Sequence, residues 1–365
     1  MIRLLEADDA SRGSGTLGIC GLDDWTSCIA TEERNGEYYL EGEYPTSGRN
    51  ADQLMVDRLI SAKPNRQDGR QCFRIAKLEH PISGTVKVTA YHHSYDLKGI
   101  VTTSYRQQAP NYTKPSQWLM YFLSYGVPTT HPIFVFQDDM DERTVTMPAV
   151  NRPMNIRQIM GGMDGSILDV WGGEYKYEDI YVKLLKSRGK DTGKKIVYGA
   201  NMISMKQELS NLEAWYGALP YFMSEANGCI MGSHLTPSEQ VYVPPFDKTL
   251  ALDLTESWKS IMGETEPTAE QLTAFAEDRL SLYLQDPTAS IDVEYIELAD
   301  SPEYAWINSG AVGLCDTVTV IHPASGTQLK AKIVKTEYDV LTERYKTIQI
   351  GTIKKSLIDL LRKIK

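Results

Sequence analysis

Residues 170–202 read VWGGEYKYEDIYVKLLKSRGKDTGKKIVYGANM. Gly172-Gly173 is a turn signal. Beyond it Tyr175, Tyr177, Ile180, Val182 and Leu184 alternate imperfectly with Glu174, Lys176, Asp179, Tyr181 and Lys183. That period near two, carried by aromatic and β-branched residues, indicates strands rather than a helix. Glu178-Asp179 sets two charges together and predicts a bulge or strand break. The run Arg188-Gly189-Lys190-Asp191-Thr192-Gly193 reads as a polar, glycine-bracketed turn. Ile196-Val197-Tyr198 then starts another strand ahead of Gly199-Ala200-Asn201.

The β signature extends upstream. Asn35-Gly36, between Cys28–Glu32 and Tyr38–Tyr44, is a strong hairpin signal. A short helix is expected from Ala51 to Ile60, with Asn50 as cap and Leu54, Met55 and Leu59 on one face. Phe73–Leu78 and Val86–Tyr91 bracket a turn at Pro81–Gly84, completing a compact antiparallel unit over residues 1–105. A barrel would leave such a unit few open edges. The polar stretch Thr102–Thr113 marks a boundary. Ser116 is placed to cap a short helix bearing Trp118, Leu119, Phe122 and Leu123. Strands are expected at His131–Phe136 and Thr144–Met147, and a helix in Asn155–Met163 stopped by Gly161-Gly162.

Downstream, Asn201–Lys206 and Glu213–Tyr216 suggest a hairpin, and Gly228–Pro245 reads as strand fragments and loop. The clearest helix spans Ala269–Leu284. Thr268 and Gln271 form a capping box, and Leu272, Phe275, Ala276, Leu280 and Tyr283 make one stripe. Strands follow at Ile291–Leu298 and Gly313–Val320. Lys330–Gly351 forms a hairpin that repeats the first unit: Ile333–Glu337 aligns with Ile75–Glu79, and Lys346–Ile350 with Thr85–Thr89. In residues 353–365 an amphipathic helix carries Ile353, Leu357, Leu360, Leu361 and Ile364 on one side, with Lys354, Lys355, Arg362 and Lys363 opposite. The class is α+β, mostly β.

A length of 365 residues exceeds one ordinary core and predicts about two to four domains. The net charge of −10 argues against a protein that grips nucleic acid, because phosphate binding needs clustered Lys and Arg. No apolar run reaches the roughly 18 residues a membrane helix needs, and the N-terminus lacks a signal-peptide pattern. The five cysteines, Cys20, Cys28, Cys72, Cys229 and Cys315, are odd in number and scattered without a CxxC pair. They read as reduced thiols of a protein folded in the cytoplasm.

No catalytic set emerges. His92 and Asp96 match half of a zinc peptidase pattern, but the HxH half is missing and His80, His131, His234 and His322 stand alone. A catalytic zinc wants three protein ligands. His92 and Asp96 also fall in a predicted strand, where a separation of four spreads them by about 13 Å. No cysteine sits in a nucleophile context, and GxSxG, HExxH and phosphate-loop patterns are absent. Glu174 with Glu178, and the run Asp138, Asp139, Asp141 and Glu142, offer carboxylates. Such clusters beside turns read as solvated loop tips, with a weak attraction for a cation in the second. No cofactor is expected.

Three stretches carry a resemblance. They are the GGEY segment from Gly172 with Tyr181–Met202, Cys72–Ile75 with His92–Leu97, and Ile333–Leu341 with Arg344-Tyr345. Their order and spacing resemble the phage tail-tip (baseplate) hub family, the N-terminal module of tail-associated lysins, also called prophage endopeptidase tail. The resemblance implies a virion structural protein forming a homotrimer with two related antiparallel β-barrels per copy, a pseudo-sixfold ring that matches a tail tube. It implies a first barrel in 1–105, a second assembled from 196–235 and 310–352, and peripheral α+β domains from 106–195 and 236–309. Implied partners are the distal tail protein, the tape-measure protein and receptor-binding baseplate proteins, with DNA passing through unbound. The alternative is a cell-wall endopeptidase (a peptidoglycan hydrolase), an activity that the family locates in segments beyond the hub module.

Overall fold

Alternation of buried and outward residues governs the first strands. Tyr38–Pro45 buries every second side chain and its neighbour Thr85–His92 follows suit, while on the other side Ser27–Glu33 alternates only as far as Ala30 and then buries Thr31 and Glu32 as well. The computed structural model describes residues 2–9, 16–79, 84–102, 111–145, 147, 149, 153–163, 165–210, 215–236, 248–263, 265–278, 280, 288–295, 312–322 and 327–351. The chain divides into two compact units.

The first unit comprises Met1–Thr144, Ala149–Lys206 and Ile291–Gly351. A sheet of 13 strands lies mainly in it, and its main path joins eleven of them. The path is Met202–Ser210, Thr288–Tyr295, Arg344–Ile350, Thr327–Asp339, Ser27–Glu33, Tyr38–Pro45, Thr85–His92, Gln71–Glu79, Leu59–Ala62, Ile2–Leu5 and Cys20–Leu22. Thr317–His322 pairs with Thr327–Asp339 and, in parallel, with Asp191–Val197. Leu4, Leu40, Leu59, Phe73, Ile75 and Ile333 are among its fully buried side chains. Among the described residues no pairing joins the two ends of this path. The mostly β class holds.

Beside the sheet, within the same unit, Glu174–Glu178 and Tyr181–Leu185 form a hairpin, and Val135–Asp138 adds in parallel. Helices Pro115–Ser124, Ile156–Met160 and Ile167–Trp171 surround it. In the second unit Gly217–Ser224 pairs antiparallel with Gly228–Met231 and parallel with Thr249–Asp253. Helices Thr255–Met262 and Ala269–Glu277 pack on these strands through Phe222, Leu254, Trp258, Leu272 and Phe275.

Several expectations hold. The Asn35-Gly36 turn joins two paired strands, with Asn35 left-handed at φ 57°. The short helix expected in 155–163 forms over Ile156–Met160 and stops at Gly161, and Thr268 with Gln271 forms the capping box. The charge pair at Glu178-Asp179 is a hairpin turn, Asp179 adopting φ 57°.

Others need correction. Residues 51–60 are not a helix: only Ala51–Gln53 makes a 3₁₀ turn, Asn50 makes no side-chain cap, and Leu59–Ala62 is a strand between two partners. Cross-strand pairing there overrides a three-residue apolar spacing, and Met55 is exposed. Lys114, not Ser116, holds the N-cap position of the helix that starts at Pro115, without a side-chain cap of its own, because proline suits the first helical position; Gln117 Oε1 accepts from the Lys114 N–H at 3.3 Å. The strand expected at 131–136 begins only at Val135. Thr144, Val145 and Met147 lie outside any strand. The hairpin expected between Asn201–Lys206 and Glu213–Tyr216 does not form among the described residues: Trp215 and Tyr216 lie outside any strand, and Met202–Ser210 neighbours Thr288–Tyr295 instead. Residues 103–110, 211–214, 237–247, 281–287, 296–311 and 352–365 lie outside the described residues. With them lie most of the expected boundary at 102–113, the ends of several expected elements and the terminal amphipathic helix.

The repeat is deeper than its sequence. Ile75 and Ile333 are both fully buried, and a β-bulge follows each, at Ala76 and at Val334. Upstream of each, a left-handed residue turns the chain: Asp57 at φ 72° donates its N–H to the Ile75 carbonyl, and Cys315 at φ 70° donates to the Ile333 carbonyl. The Ile75 N–H returns to the Arg58 carbonyl at 2.8 Å, and that of Ile333 to Asp316 at 2.9 Å. The paired registers correct the alignment of the returning strands by one residue. Leu78 opposes Val88 and Thr336 opposes Ile348, so Thr347–Ile350 matches Lys87–Ala90. A one-residue slip in a strand exchanges its faces, and only this register buries Val88 and Ile348 together.

Ile75→Ala and Ile333→Ala are each expected to lower unfolding free energy by about 2–5 kcal/mol, as for other large-to-small core changes. Urea denaturation of the two variants measures it. A loss under about 1 kcal/mol at either position would break the equivalence of the two sites.

Candidate functional site

The hairpin at the centre of the opening stretch is held to the large sheet by polar groups. Asn35, set outward by its left-handed turn, accepts from the Tyr175 N–H at 2.8 Å through Oδ1 and donates through Nδ2 to the Gly173 carbonyl at 2.9 Å. Beyond the hairpin, Arg188 turns its side chain inward. Its two terminal nitrogens donate to the Glu32 carboxylate at 2.6 and 3.1 Å, and one also approaches Asp68 at 3.6 Å. The Arg188 and Glu32 side chains are only 7% and 6% exposed. Burial alone would lower the guanidinium pKa, but the carboxylates of Glu32 and Asp68 raise it, so the cation persists.

The network continues on both sides. Lys176 bridges Asp68 at 3.4 Å and Glu178 at 2.7 Å, and Lys183 also pairs with Glu178. Glu174 accepts from Lys332 Nζ at 2.6 Å and from the Arg188 N–H at 2.8 Å. Burial pushes the Glu174 carboxyl up, yet those two donors bring it below its ordinary range. Glu174 and Glu178 are therefore both engaged as ion-pair acceptors. The sequence places Arg188 in a polar, glycine-bracketed turn; its principal partner lies 156 residues away, beyond any local pattern.

A second buried cluster adjoins this one. His92 ends its strand, and residues His93–Gly99 form a 3₁₀ helix, so the expected continuous strand through Asp96 is absent. The break is local: His92 Nδ1 accepts from the Ser94 N–H at 3.2 Å and caps the helix. Its Nε2 then carries the proton and donates to Gln71 Oε1 at 3.2 Å. The ring stacks on Tyr38 at 4.5 Å. Asp96 points elsewhere, accepting two bonds from Arg74 at 2.7 Å. His93 donates from Nε2 to the Asp179 carbonyl at 2.7 Å, and its Nδ1 is buried without a partner. Burial depresses both imidazoles, His92 strongly, with His93, Arg157 and Arg188 adding to the effect on His92.

The other candidates serve local structure. Asp138 accepts from Ser116 N at 3.0 Å, Asp139 from Lys186 N at 2.6 Å, and Asp141 from Lys186 Nζ at 2.6 Å. His131 bonds the Pro132 carbonyl at 2.9 Å, and His234 bonds Thr249 at 3.0 Å. His322 ends its strand, and His80 lies outside the described residues. Cys28, Cys72 and Cys315 are buried thiols, Cys20 is half-buried and Cys229 exposed. Burial pushes Cys72 and Cys315 up to about 12, with Asp179 adding to the first and Glu174 to the second, far from a nucleophilic thiolate. Among the described residues no three His, Cys, Asp or Glu side chains converge to hold a metal, and no helix is long and apolar enough to cross a membrane.

Residues 254–361 match the family described as prophage endopeptidase tail. No curated protein matches the sequence. The fold is similar to that of the prophage MuSo2 43 kDa tail protein from Shewanella oneidensis, with TM-score 0.56 and 12% identity over 97% of this chain and 98% of that one. It is similar to prophage tail protein gp18 from Listeria monocytogenes, with TM-score 0.54 and 14% identity over 100% and 98% of the two chains. It is also similar to the tail protein from Neisseria meningitidis, with TM-score 0.52 and 8% identity over 90% and 92%. The family match and these folds bear out the resemblance read from the sequence.

Arg188→Ala, which leaves Glu32 buried and unpaired, is expected to cost about 3–5 kcal/mol. Arg188→Met combined with Glu32→Leu is expected to cost less than either single change. Urea titration of the three variants reads both effects.

His92 and His93 have folded-state pKa values below the unfolded value of 6.5, so the unfolded chain takes up protons first on acidification. Their contribution to stability is full above pH 6.5 and declines as pH falls below it. The urea midpoint is expected to drop between pH 7.5 and 5.5, with a shallower slope in His92→Gln/His93→Gln. An equal slope in that variant would assign the pH dependence to other groups.

Proposed function

Taking the chain as a member of the phage tail protein family, we propose that it is the structural hub of a tail tip or baseplate. In this reading it assembles as a homotrimeric ring that closes the tail tube and links it to the host-adhesion apparatus. The observation that carries the reading is the backbone repeat: a left-handed residue, a buried isoleucine and a bulge recur at equivalent registers around Ile75 and Ile333. Two like units per chain let three copies present six like elements, the simplest match to a sixfold tube.

The domain plan belongs to the same proposal. Residues 1–105 build one β-barrel, 196–235 with 310–352 build the other, and 106–195 with 236–309 lie at the periphery. Distal tail, tape-measure and receptor-binding proteins are the partners. The protein resides in the virion tail after folding in the host cytoplasm. The net charge of −10 supports a channel through which DNA slides without retention. The paired state of His92, Asp96, Glu174 and Glu178, and the raised Cys72 and Cys315 thiols, favour a structural role over endopeptidase chemistry.

Light scattering across a concentration series is expected to show a trimer at high concentration, and imaging of intact tail tips a threefold ring with an acidic or neutral lumen. A monomer in the tail tip, or a lumen ringed by Lys and Arg, would overturn the proposal. A zymogram on purified peptidoglycan is expected to stay uncleared; a cleared band lost on substituting a residue of this chain would favour the endopeptidase reading.

A further inference from the structure

The helix Pro115–Ser124 turns one face into the core and leaves the other lining a surface groove. Trp118 and Phe122 fill the core side and are fully buried. The opposite face, with the segments on either side of the helix, encloses a groove of about 570 Å³. Its walls are Tyr112, Gln117, Met120, Tyr121 and Tyr125, and Phe136 forms part of its lining from the neighbouring strand. Ser116 and Ser124 complete it. Such a volume is in the range of small-ligand sites, roughly 300–1,000 Å³.

The chemistry of the walls narrows the ligand. None of the eight lining residues is charged, in a chain with 86 Asp, Glu, Lys and Arg side chains (48 + 38). The nearby charges are engaged elsewhere: Lys114 Nζ bonds the Met140 carbonyl, and Asp138 accepts from the Ser116 and Met140 amides. A phosphate, nucleic acid or acidic peptide would meet no cation among these walls. A hydrophobic helix would meet only Met120 and Phe136 among hydroxyl-bearing and amide side chains, unlike the aliphatic grooves that such helices enter.

Three tyrosine rings dominate instead. Tyr121 lies 5.8 Å from Tyr112 and 5.0 Å from Tyr125, the pairs inclined at 66° and 57°, so the rings present differently tilted faces. Tyrosine couples an apolar ring to a hydrogen-bonding tip, and Gln117 and the two serines add polar groups at the walls. A pyranose has the complementary make-up, an apolar C–H face and a rim of neutral hydroxyls.

We propose that this tyrosine-lined groove is a binding site for a short, uncharged oligosaccharide, with a sugar ring stacked on Tyr121 or Tyr125 and its hydroxyls bonded to Gln117 and the serines. The proposal rests on the groove alone and stands whether or not the chain is a tail hub.

The test uses the full chain, titrated with triacetylchitotriose, maltotriose and cellotriose while tryptophan fluorescence is followed. Trp118 packs edge-on against Tyr112 and Tyr121 and reports on the groove. Saturable binding of at least one trisaccharide is expected. Tyr125→Ala and Gln117→Ala should each weaken it about tenfold, the effect of losing one good contact. Met223→Ala, an exposed change in the second unit, should leave it unchanged. Circular dichroism checks that each variant is folded, and Gln117→Ala, on the exposed helix face, serves if Tyr125→Ala is not. No saturable binding of any of the three sugars would overturn the proposal. So would undiminished affinity in the folded variants, or binding of an amphipathic helical peptide in place of the sugars.

Discussion

The buried pair between Arg188 and Glu32 is the constraint on which the arrangement of the first unit depends. Two charges taken out of water must satisfy each other or one of them stays destabilised by several kcal/mol. Glu32 lies on a central strand of the large sheet, and Arg188 follows the hairpin Glu174–Leu185. Their two-pronged contact therefore sets the distance and the angle at which that hairpin meets the sheet. Asn35, Asp68, Lys176 and Lys332 add further polar ties across the same junction. A polar junction of this kind is more exacting than an apolar one, because each hydrogen bond has a direction and a length.

The histidine cluster continues that junction by other means. His92 holds one tautomer because the Ser94 amide occupies one ring nitrogen and Gln71 accepts from the other. The same Gln71 oxygen accepts from Asp179 N at 2.8 Å, so the hairpin turn and the sheet share one acceptor. Arg157 lies over the Tyr95 ring and donates to the Tyr177 hydroxyl, extending the contact through aromatic faces. What resembled half of a metal site is a neutral histidine capping a short helix, and its aspartate neighbour belongs to Arg74.

The repeated hairpins illustrate how backbone conformation can be held where side chains diverge. A bulge adds one residue to one strand and increases local twist. Each repeat has one after its buried isoleucine, and each reaches that strand through a left-handed residue, which is Asp in one copy and Cys in the other. Neither residue is glycine, so both conformations are maintained by the surrounding hydrogen bonds rather than by local preference.

Sequence by itself determined the local elements. Period-two burial, the Asn-Gly turn, the capping box at Thr268, and the paired strands near residues 75 and 333 follow from steric and hydrogen-bonding rules that act over a few residues. It also carried the family resemblance. It misread residues 51–60, where apolar spacing suited a helix but two flanking strands supplied the hydrogen bonds. It misplaced the returning strand of the repeat by one residue, because side-chain alternation alone cannot locate a bulge. The Arg188–Glu32 pair, the Gln71 oxygen shared by His92 and Asp179, and the tyrosine groove were decided only by the tertiary structure. Each joins groups on separate elements, and a charge or ring shows its partner only when the chain has folded to bring the two together.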